Sequence, residues 1–511
     1  MMSDFFANLS LGFSVALSAA GLGWCFIGVA LGTFVGVLPG IGALAAIALL
    51  LPLTFGLEPT YALIMLAGIY YGSNYGGGIA SILLNLPGTP TSAVTCIDGY
   101  PMARNGRAGV ALFTTATASF FGSAIGMIIM AIFSPMLAAA ALRFSAPEYF
   151  SLMVLGLVAA AMLGSGSPFR ALAMIFFGLI LGLVGRDLTS GLLRFTYGVD
   201  ELYEGLPLVA IALGIFGLPE IIRNAGHLQR SRIRSKDITF ASMIPTRDEV
   251  KRAVPAAIRG TGLGAFFGAL PGTGGLLASF MSYALEKKVS KHPERFGKGA
   301  IEGVAGPEAA NNSAVQTAFI PTLTLGIPGD VIMAIMMGAM IIHGIQPGAQ
   351  VLTSHPDLFW GLTASFLVGN LMLLILNIPL IGMWVRILSI PYSVLYPFII
   401  AFICIGVYSV NGSVVDLGVL LFFGLLGCVM QYLKFEPAPL VLGLILGPML
   451  EQNLRRGLQL YRGDYTEFLT RPISATFLLI SLFIIVWSFW GAMKTRRMRR
   501  QMRAAEEQAA E

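Results

Sequence analysis

The stretch that most constrains this chain is GTFVGVLPGIGAL, Gly32 to Leu44, because it recurs as GAFFGALPGTGGL, Gly264 to Leu276. Aligning Pro39 with Pro271 gives an offset of 232 residues (271 − 39) that keeps four glycines and both flanking leucines in register. A Pro-Gly pair inside an apolar run interrupts a helix: proline removes a backbone donor and glycine admits a left-handed turn. In lipid such an interruption survives only where protein or a watery cavity satisfies the freed backbone groups. Two matched interruptions, one per half, point to a binding site in a transporter built from repeats.

Four further matches follow in the same order. LNLPGTP at Leu84 to Pro90 is echoed by LGIPGDV at Leu325 to Val331, with an offset of 241 (328 − 87), so a second Pro-Gly break is also paired. TASF at Thr117 returns at Thr363 and FFGL at Phe176 returns at Phe422, both at 246, and PLV at Pro207 returns at Pro439 at 232. Residues 20–222 and 255–451 therefore read as two copies of one unit.

Of 511 residues 56% are hydrophobic and 11% charged, with a mean hydropathy of +0.79. A soluble domain carries about 25% charged residues, so this is an all-α polytopic membrane protein, with apolar runs of about 18 or more residues along most of its length. The net charge of +6 is concentrated in short segments, which marks topology and excludes a nucleic-acid footprint. Cys25, Cys96, Cys404 and Cys428 are scattered, as are His227, His292, His343 and His355. They form no CxxC pair or His-rich cluster, so packing is expected of the cysteines and no transition-metal site is expected.

Basic residues order the loops. None precedes Arg104, so the N-terminus lacks the basic region of a signal peptide and the first apolar run is expected to be retained. The organisation read from the sequence is a first membrane repeat at 1–222 and a basic cytoplasmic linker at 223–254. A second repeat follows at 255–451, then a loop with an extra C-terminal transmembrane helix at 452–493 and a basic, then acidic, tail at 494–511. Val254 to Leu285 offers two halves of about 16 residues, roughly 24 Å of helix each, too short to cross twice, so a re-entrant hairpin with Pro271 and Gly272 near its tip is expected. After the first LPG the connecting loop has Glu58 and no basic residue; after the second it has Lys287, Lys288, Lys291, Arg295 and Lys298. The next loop reverses this, with Arg104 and Arg107 in the first copy and no basic residue from Asp330 to Pro356. Opposite bias at equivalent loops predicts two inverted repeats with about 11 crossings and two hairpins; it also places Arg143 outside.

The same breaks nominate the site. No Lys or Arg stands at membrane depth near them, so an anion would be held by backbone N–H groups at helix starts, aided by hydroxyls and amides. The candidates are Pro39, Gly40, Gly42, Pro87, Gly88, Thr89, Pro271, Gly272, Gly274, Pro328 and Gly329, with Ser73, Asn74, Asn85 and Ser92. A cation would take amide, hydroxyl and carboxylate oxygens, for which Asn311, Asn312, Thr324 and Asp330 are the candidates. Each has a plainer alternative: an Asn bonding to a neighbouring helix, or Asp330 capping the helix that follows it. Gly76 to Gly78 suits a tight helix crossing as well as a site. Glu302 and Glu308 interrupt an apolar span, and Glu302 is expected to be solvated.

GxLPGIG, YGGGIASILLNLPGTPTSAVTCIDGYPMA, and LPGTGGLLASFMSYALEKKVSKHPERFGKGAIEGVAGPEAANN followed by LTLGIPGD resemble the large, TctA-like membrane subunit of the tripartite tricarboxylate transporter family, over nearly the whole chain. The resemblance implies a bacterial inner-membrane secondary transporter. It implies a small membrane subunit and a periplasmic solute-binding protein as partners, a carboxylate substrate, and a coupling cation, Na+ or H+, with no other cofactor. A membrane-embedded enzyme is the competing class, disfavoured by the lack of HExxH, clustered Cys and His, or a Ser, His and Asp constellation. A binding-protein-independent exporter and a passive scaffold remain further alternatives; the scaffold has no need of paired breaks.

Overall fold

In the computed structural model of the chain, residues 2–38, 42–162, 167–187, 190–224, 240–272, 274–388 and 392–490 are described. The described residues are helical almost throughout, with one two-stranded antiparallel hairpin, β1 Gly185–Arg186 and β2 Leu193–Arg194. Five helices of 18 residues or more are apolar enough to cross a membrane, joined by several shorter apolar ones.

The chain forms two compact units. The first, Met1–Leu142 with Pro207–Val429, begins with α1 (Met2–Ala16), α2 (Ala19–Val37), α3 (Gly42–Leu50), α4 (Pro59–Leu84), α5 (Ala93–Met102) and α6 (Ala108–Ala141). The second, Arg143–Leu206 with Met430–Glu511, contains α7 (Ala146–Met162) and α8 (Pro168–Gly182). The chain then returns to the first unit through α9 (Leu208–Ala212), α10 (Leu218–Asn224), α11 (Arg247–Ala269), α12 (Gly274–Val289), α13 (Glu302–Thr317), α14 (Phe319–Leu325) and α15 (Val331–Ile342). It continues there through α16 (Val351–Ser354), α17 (Pro356–Asn377), α18 (Ile381–Ile387), α19 (Tyr392–Asn411) and α20 (Val414–Tyr432). The second unit is completed by α21 (Ala438–Leu460), α22 (Glu467–Thr470) and α23 (Pro472–Trp490).

In the first unit α4 is buried on nearly every side from Thr60 to Leu84, and α13 with α14 is buried from Gly303 to Leu325. A helix buried all round belongs in an interior, its polar side chains answered by neighbouring helices, and these two occupy equivalent places in the two sequence copies. Their neighbours approach through glycine. A Cβ on Gly28, Gly32 or Gly36 of α2 would stand 2.3, 2.5 or 2.1 Å from the carbonyl oxygens of Met65, Ile69 and Ser73. On α11, a Cβ on Gly260, Gly264 or Gly268 would stand 2.1, 2.1 or 2.4 Å from the carbonyl oxygens of Gly306, Ala310 and Ala314. The glycines differ by 232 (260 − 28) and their partners by 241 (306 − 65), the two offsets read from the Pro-Gly motifs. The duplicated sequence therefore makes duplicated contacts. Asn85 and Gly326, also 241 apart, both end their helices in the left-handed region, at φ 58° and 67°.

The compact units do not follow the boundaries of the sequence copies. In the second unit α8 of the first copy packs on α21 of the second, with a Gly178 Cβ position 2.0 Å from the Leu440 carbonyl. In the first unit α20 of the second copy packs beside α9 and α10 of the first, where a Cβ on Gly214 would stand 2.7 Å from the Leu420 carbonyl oxygen and one on Gly427 2.7 Å from that of Ile215. Each copy thus lends a helix to pack on the last helices of the other.

The α11–α12 segment is an antiparallel hairpin about its Pro271-Gly272 break. Arg259, ten residues before the end of α11, meets Glu286, twelve after the start of α12. In the second unit Asp187 accepts from Arg194 and from Arg455 at 3.0 Å, and Glu451 accepts from Arg194 at 2.9 Å, tying the β-hairpin to α21. Phe398, Phe402 and Ile405 on α19, and Leu479, Leu482 and Phe483 on α23, are exposed; contiguous apolar faces of this kind suit lipid.

Candidate functional site

Three of the four Pro-Gly breaks can be followed in the described residues, and they meet in the first unit; Pro39 and Gly40 lie outside the described residues. The second-half breaks touch directly, Gly272 N–H donating to the Gly329 carbonyl at 2.8 Å. Gly329 is pressed against Ala318, a Cβ there standing 2.9 Å from the Ala318 Cα, while its counterpart Gly88 would place one 2.7 Å from the Gly77 Cα and 2.0 Å from the Gly36 carbonyl. Only glycine lets the backbone come this close.

Around the breaks lies a polar cluster, buried at Asn74, Thr89 and Asn311 and half-buried at Thr91 and Asp330. Asn74 Oδ1 accepts from Thr91 Oγ1 at 2.8 Å, from Asn311 Nδ2 at 3.3 Å and from Thr89 Oγ1 at 3.4 Å. It therefore joins α4, the turn after the first-half break, and α13. Asn311 Oδ1 has no partner, and Gly275 leaves the space beside it, where a Cβ would stand 2.6 Å away. One turn back along α4, the Tyr70 hydroxyl donates to Asp330 Oδ2. Asp330 also caps α15, its Oδ1 accepting from Met333 N–H at 2.8 Å, and a Cβ on Gly274 would stand 3.1 Å from the Asp330 Cβ. Gly42 and Gly274, equivalent by the 232 offset, both start their helices in the left-handed region (φ 67° and 61°), but nothing lies within 4 Å of the Cβ position at Gly42. The α11–α12 hairpin thus closes on Asp330 at Gly274.

Asn74, Thr89, Asn311, Gly272, Gly274, Gly329 and Asp330 are thus brought together, with Gly88, Pro271 and Pro328 shaping the turns. Ser92 serves the turn itself: its hydroxyl accepts from Thr89 N–H at 3.2 Å and donates to the Thr89 carbonyl at 2.8 Å. Several other candidates do not join the cluster. Ser73 bonds the Tyr70 carbonyl and Thr324 that of Ile320, each within its own helix. Asn85 and Pro87 are exposed at the end of α4. Asn312 faces away from Asn311, its Nδ2 donating to Ser119 at 2.8 Å. The N–H groups of Thr89, Gly272, Gly329 and Met333 are all engaged within the protein, so an anion recruiting them must exchange for these bonds.

Sequence reasoning left out Tyr70, Thr91 and Gly275, and also Asp98. One Asp98 oxygen accepts from the N–H groups of Gly297, Gly299 and Ala300, each at 2.8 Å, and the other from Tyr283 at 2.9 Å. That carboxylate clamps α5 of the first copy to the loop entering α13 of the second. Its signal was the polar run TSAVTCIDGYP after the break, too dense in Thr, Ser and Asp for a lipid-facing turn. Glu302, expected in solvent, is half-buried beside Arg252 at 3.3 Å.

The family model for the tripartite tricarboxylate transporter TctA family matches residues 22–442. The chain is 51% identical over 496 residues to an uncharacterized 52.8 kDa protein of the TAR-I ttuC' 3' region of Agrobacterium vitis, covering 97% of this chain and 98% of that one. A second protein, from the TAR-II ttuC' 3' region of the same organism, is 52% identical over 234 residues, 46% of this chain and 97% of its own length. No solved structure gives a significant match. A family match across both repeats, with a relative aligned almost end to end, settles the lineage: the chain belongs to the tripartite tricarboxylate transporter TctA family.

Proposed function

We propose that this protein carries a small carboxylate, tricarboxylate-like, into a bacterial cell across the inner membrane by cation-coupled symport. It receives the substrate from a periplasmic solute-binding protein and works beside a small membrane subunit. The observation that carries the reading is the convergence of the Pro-Gly breaks on Asn74, Thr89, Thr91, Asn311 and Asp330, a polar site buried at Asn74, Thr89 and Asn311 and half-buried at Thr91 and Asp330, on helices that bear no Lys or Arg. A membrane protein tolerates irregular backbone and buried amides at depth when they serve a ligand path. The substrate reaches N–H donors at the breaks when the hairpin bond from Gly272 to Gly329 opens, and the cation is held from the Asn311 and Asp330 side.

The duplicated glycine contacts, taken with the opposite charge bias of equivalent loops, support an inverted arrangement of the two copies with re-entrant hairpins. Purified chain reconstituted with the small subunit should take up labelled citrate only when the binding protein and a cation gradient are supplied. Full-rate uptake by the chain alone at micromolar citrate, or none with any tricarboxylate when the system is complete, would overturn the reading.

A further inference from the structure

Thr115, Ser119 and Ser123 on α6, and Glu308, Asn312 and Gln316 on α13, recur every four residues, so each trio lines one side of its helix. The two sides face each other. Ser119 Oγ donates to Glu308 Oε2 at 3.2 Å and accepts from Asn312 Nδ2 at 2.8 Å, while Gly122 admits the Ala309 carbonyl to 2.2 Å from its Cβ position. Thr95 of α5 donates to the other Glu308 oxygen. All seven side chains are buried, Glu308 to 1% exposure. Yet among the described residues Thr115 Oγ1, Ser123 Oγ, Asn312 Oδ1 and both polar atoms of the Gln316 amide lack a hydrogen-bond partner. Each unpartnered buried group costs about 1–3 kcal/mol, an arrangement kept where polar atoms must trade partners. The ladder runs eight residues along each helix, roughly 12 Å, and Ser123 ends it beside the Tyr75 hydroxyl, which donates to Asn370 Oδ1 at 2.9 Å.

Among the described residues no positive charge answers Glu308. Beside it α4 contributes Tyr75 and no ionic side chain, α6 none, and α5 Cys96 and Asp98, the latter held by three N–H groups and Tyr283. Of the other elements on α13, α11 brings Arg259, which pairs with Glu286 of α12, and Arg252, which pairs with Asp248 and Glu302. The adjacent residues Asn311 and Asn312 look opposite ways, one to Asn74 at the breaks and one into the ladder. A single helix therefore carries both sites.

We propose that Glu308 takes a coupling proton of the symport reading, in addition to the cation held from the Asn311 and Asp330 side, and that the hydroxyls and amides of the α6–α13 ladder accommodate it in both its charged and its neutral form. One proton converts the carboxylate to a neutral acid, and its release restores the charge; no other bond changes. A sodium site fits less well, because the hydroxyls beside Glu308 donate to it instead of turning lone pairs inward, and the remaining oxygens are strung out along the ladder.

Infrared difference spectra of the purified full chain in lipid, titrated through neutral pH with and without sodium, test this without any substrate. The expected result is a carboxylic-acid band that grows on acidification in the unmodified chain and in Asp330→Asn, is lost in Glu308→Gln, and ignores sodium. A band that persists in Glu308→Gln, never appears in the unmodified chain, or is suppressed by sodium overturns the proposal. Should Glu308→Gln fail to fold, Glu308→Asp replaces it: the band must shift, and an unmoved band overturns the assignment. Citrate uptake by the complete system is scored separately, so absence of uptake with a Glu308 band counts against the transport reading alone.

Discussion

Arg259 and Glu286 meet as a bidentate pair, Nε to Oε1 at 2.8 Å and Nη2 to Oε2 at 2.6 Å, and so close the α11–α12 hairpin above its break. The Glu286 side chain is 2% exposed, so the pair is one-sided in its dependence. Arg259→Met leaves a carboxylate buried and unanswered, at a cost of about 3–5 kcal/mol. Adding Glu286→Gln should recover most of that loss in denaturant unfolding of the purified chain. A double variant as unstable as Arg259→Met would mean that the charge pairing is not what holds the hairpin.

Glycine contact is the second dependence. Gly32→Ala and Gly264→Ala push a methyl group into the Ile69 and Ala310 carbonyls and should destabilise by about 1–3 kcal/mol each. Gly23→Ala and Gly262→Ala, on the same helices with nothing within 4 Å, should be neutral or stabilising by about 0.5–1 kcal/mol. Similar melting temperatures for all four would remove the packing argument.

Asp330 separates cap from charge. Asn caps a helix as well as Asp does, so Asp330→Asn should fold normally yet lose the normal ion dependence of citrate uptake. Asp330→Ala should also cost about 1 kcal/mol through the lost Met333 bond. Unchanged ion dependence in Asp330→Asn would reduce the residue to a cap.

The inverted arrangement is checked by labelling. Glu58 and Lys291 are both exposed, at equivalent connections of the two copies. Glu58→Cys and Lys291→Cys, each in a variant without the four native cysteines, should react with an impermeant reagent from opposite sides of the membrane. Reaction from one side would sink the inversion.

Acid should loosen the entrance to α11. Burial opposes ionisation of Glu249, but the Thr246 N–H and hydroxyl and the Arg107 guanidinium outweigh it and hold the carboxyl below the usual carboxylate range. A depressed pKa contributes stability above the unfolded value of about 4.3 and loses it as pH falls through the folded one. Proteolysis near Arg247 should therefore rise below about pH 4 in the unmodified chain, but not increase further in Glu249→Gln.

Much of this architecture was legible because duplication is written in offsets. Pro39 with Pro271 and Pro87 with Pro328 supplied the spacings at which α2, α4, α11 and α13 repeat their contacts, and Asn74 and Asn311 stood out as amides in apolar helices. What escaped was set by distant partners. Tyr70 reads as one aromatic among several until Asp330 is placed 260 residues away. Asp98 looks like a loop acid until the backbone of Gly297 to Ala300 turns onto it. The exchange of helices between the copies has no local signature, since glycine faces on α8 and α20 state that something packs there but not what.

That exchange imposes a timetable on synthesis. The face of α8 that carries Gly178 is finished when Gly182 leaves the ribosome, but α21, which fills it, begins 256 residues later (438 − 182). At about 5–20 residues per second the delay is roughly 10 to 50 s. For that interval the second unit is a helix pair waiting in the bilayer, and translation speed governs when it can close.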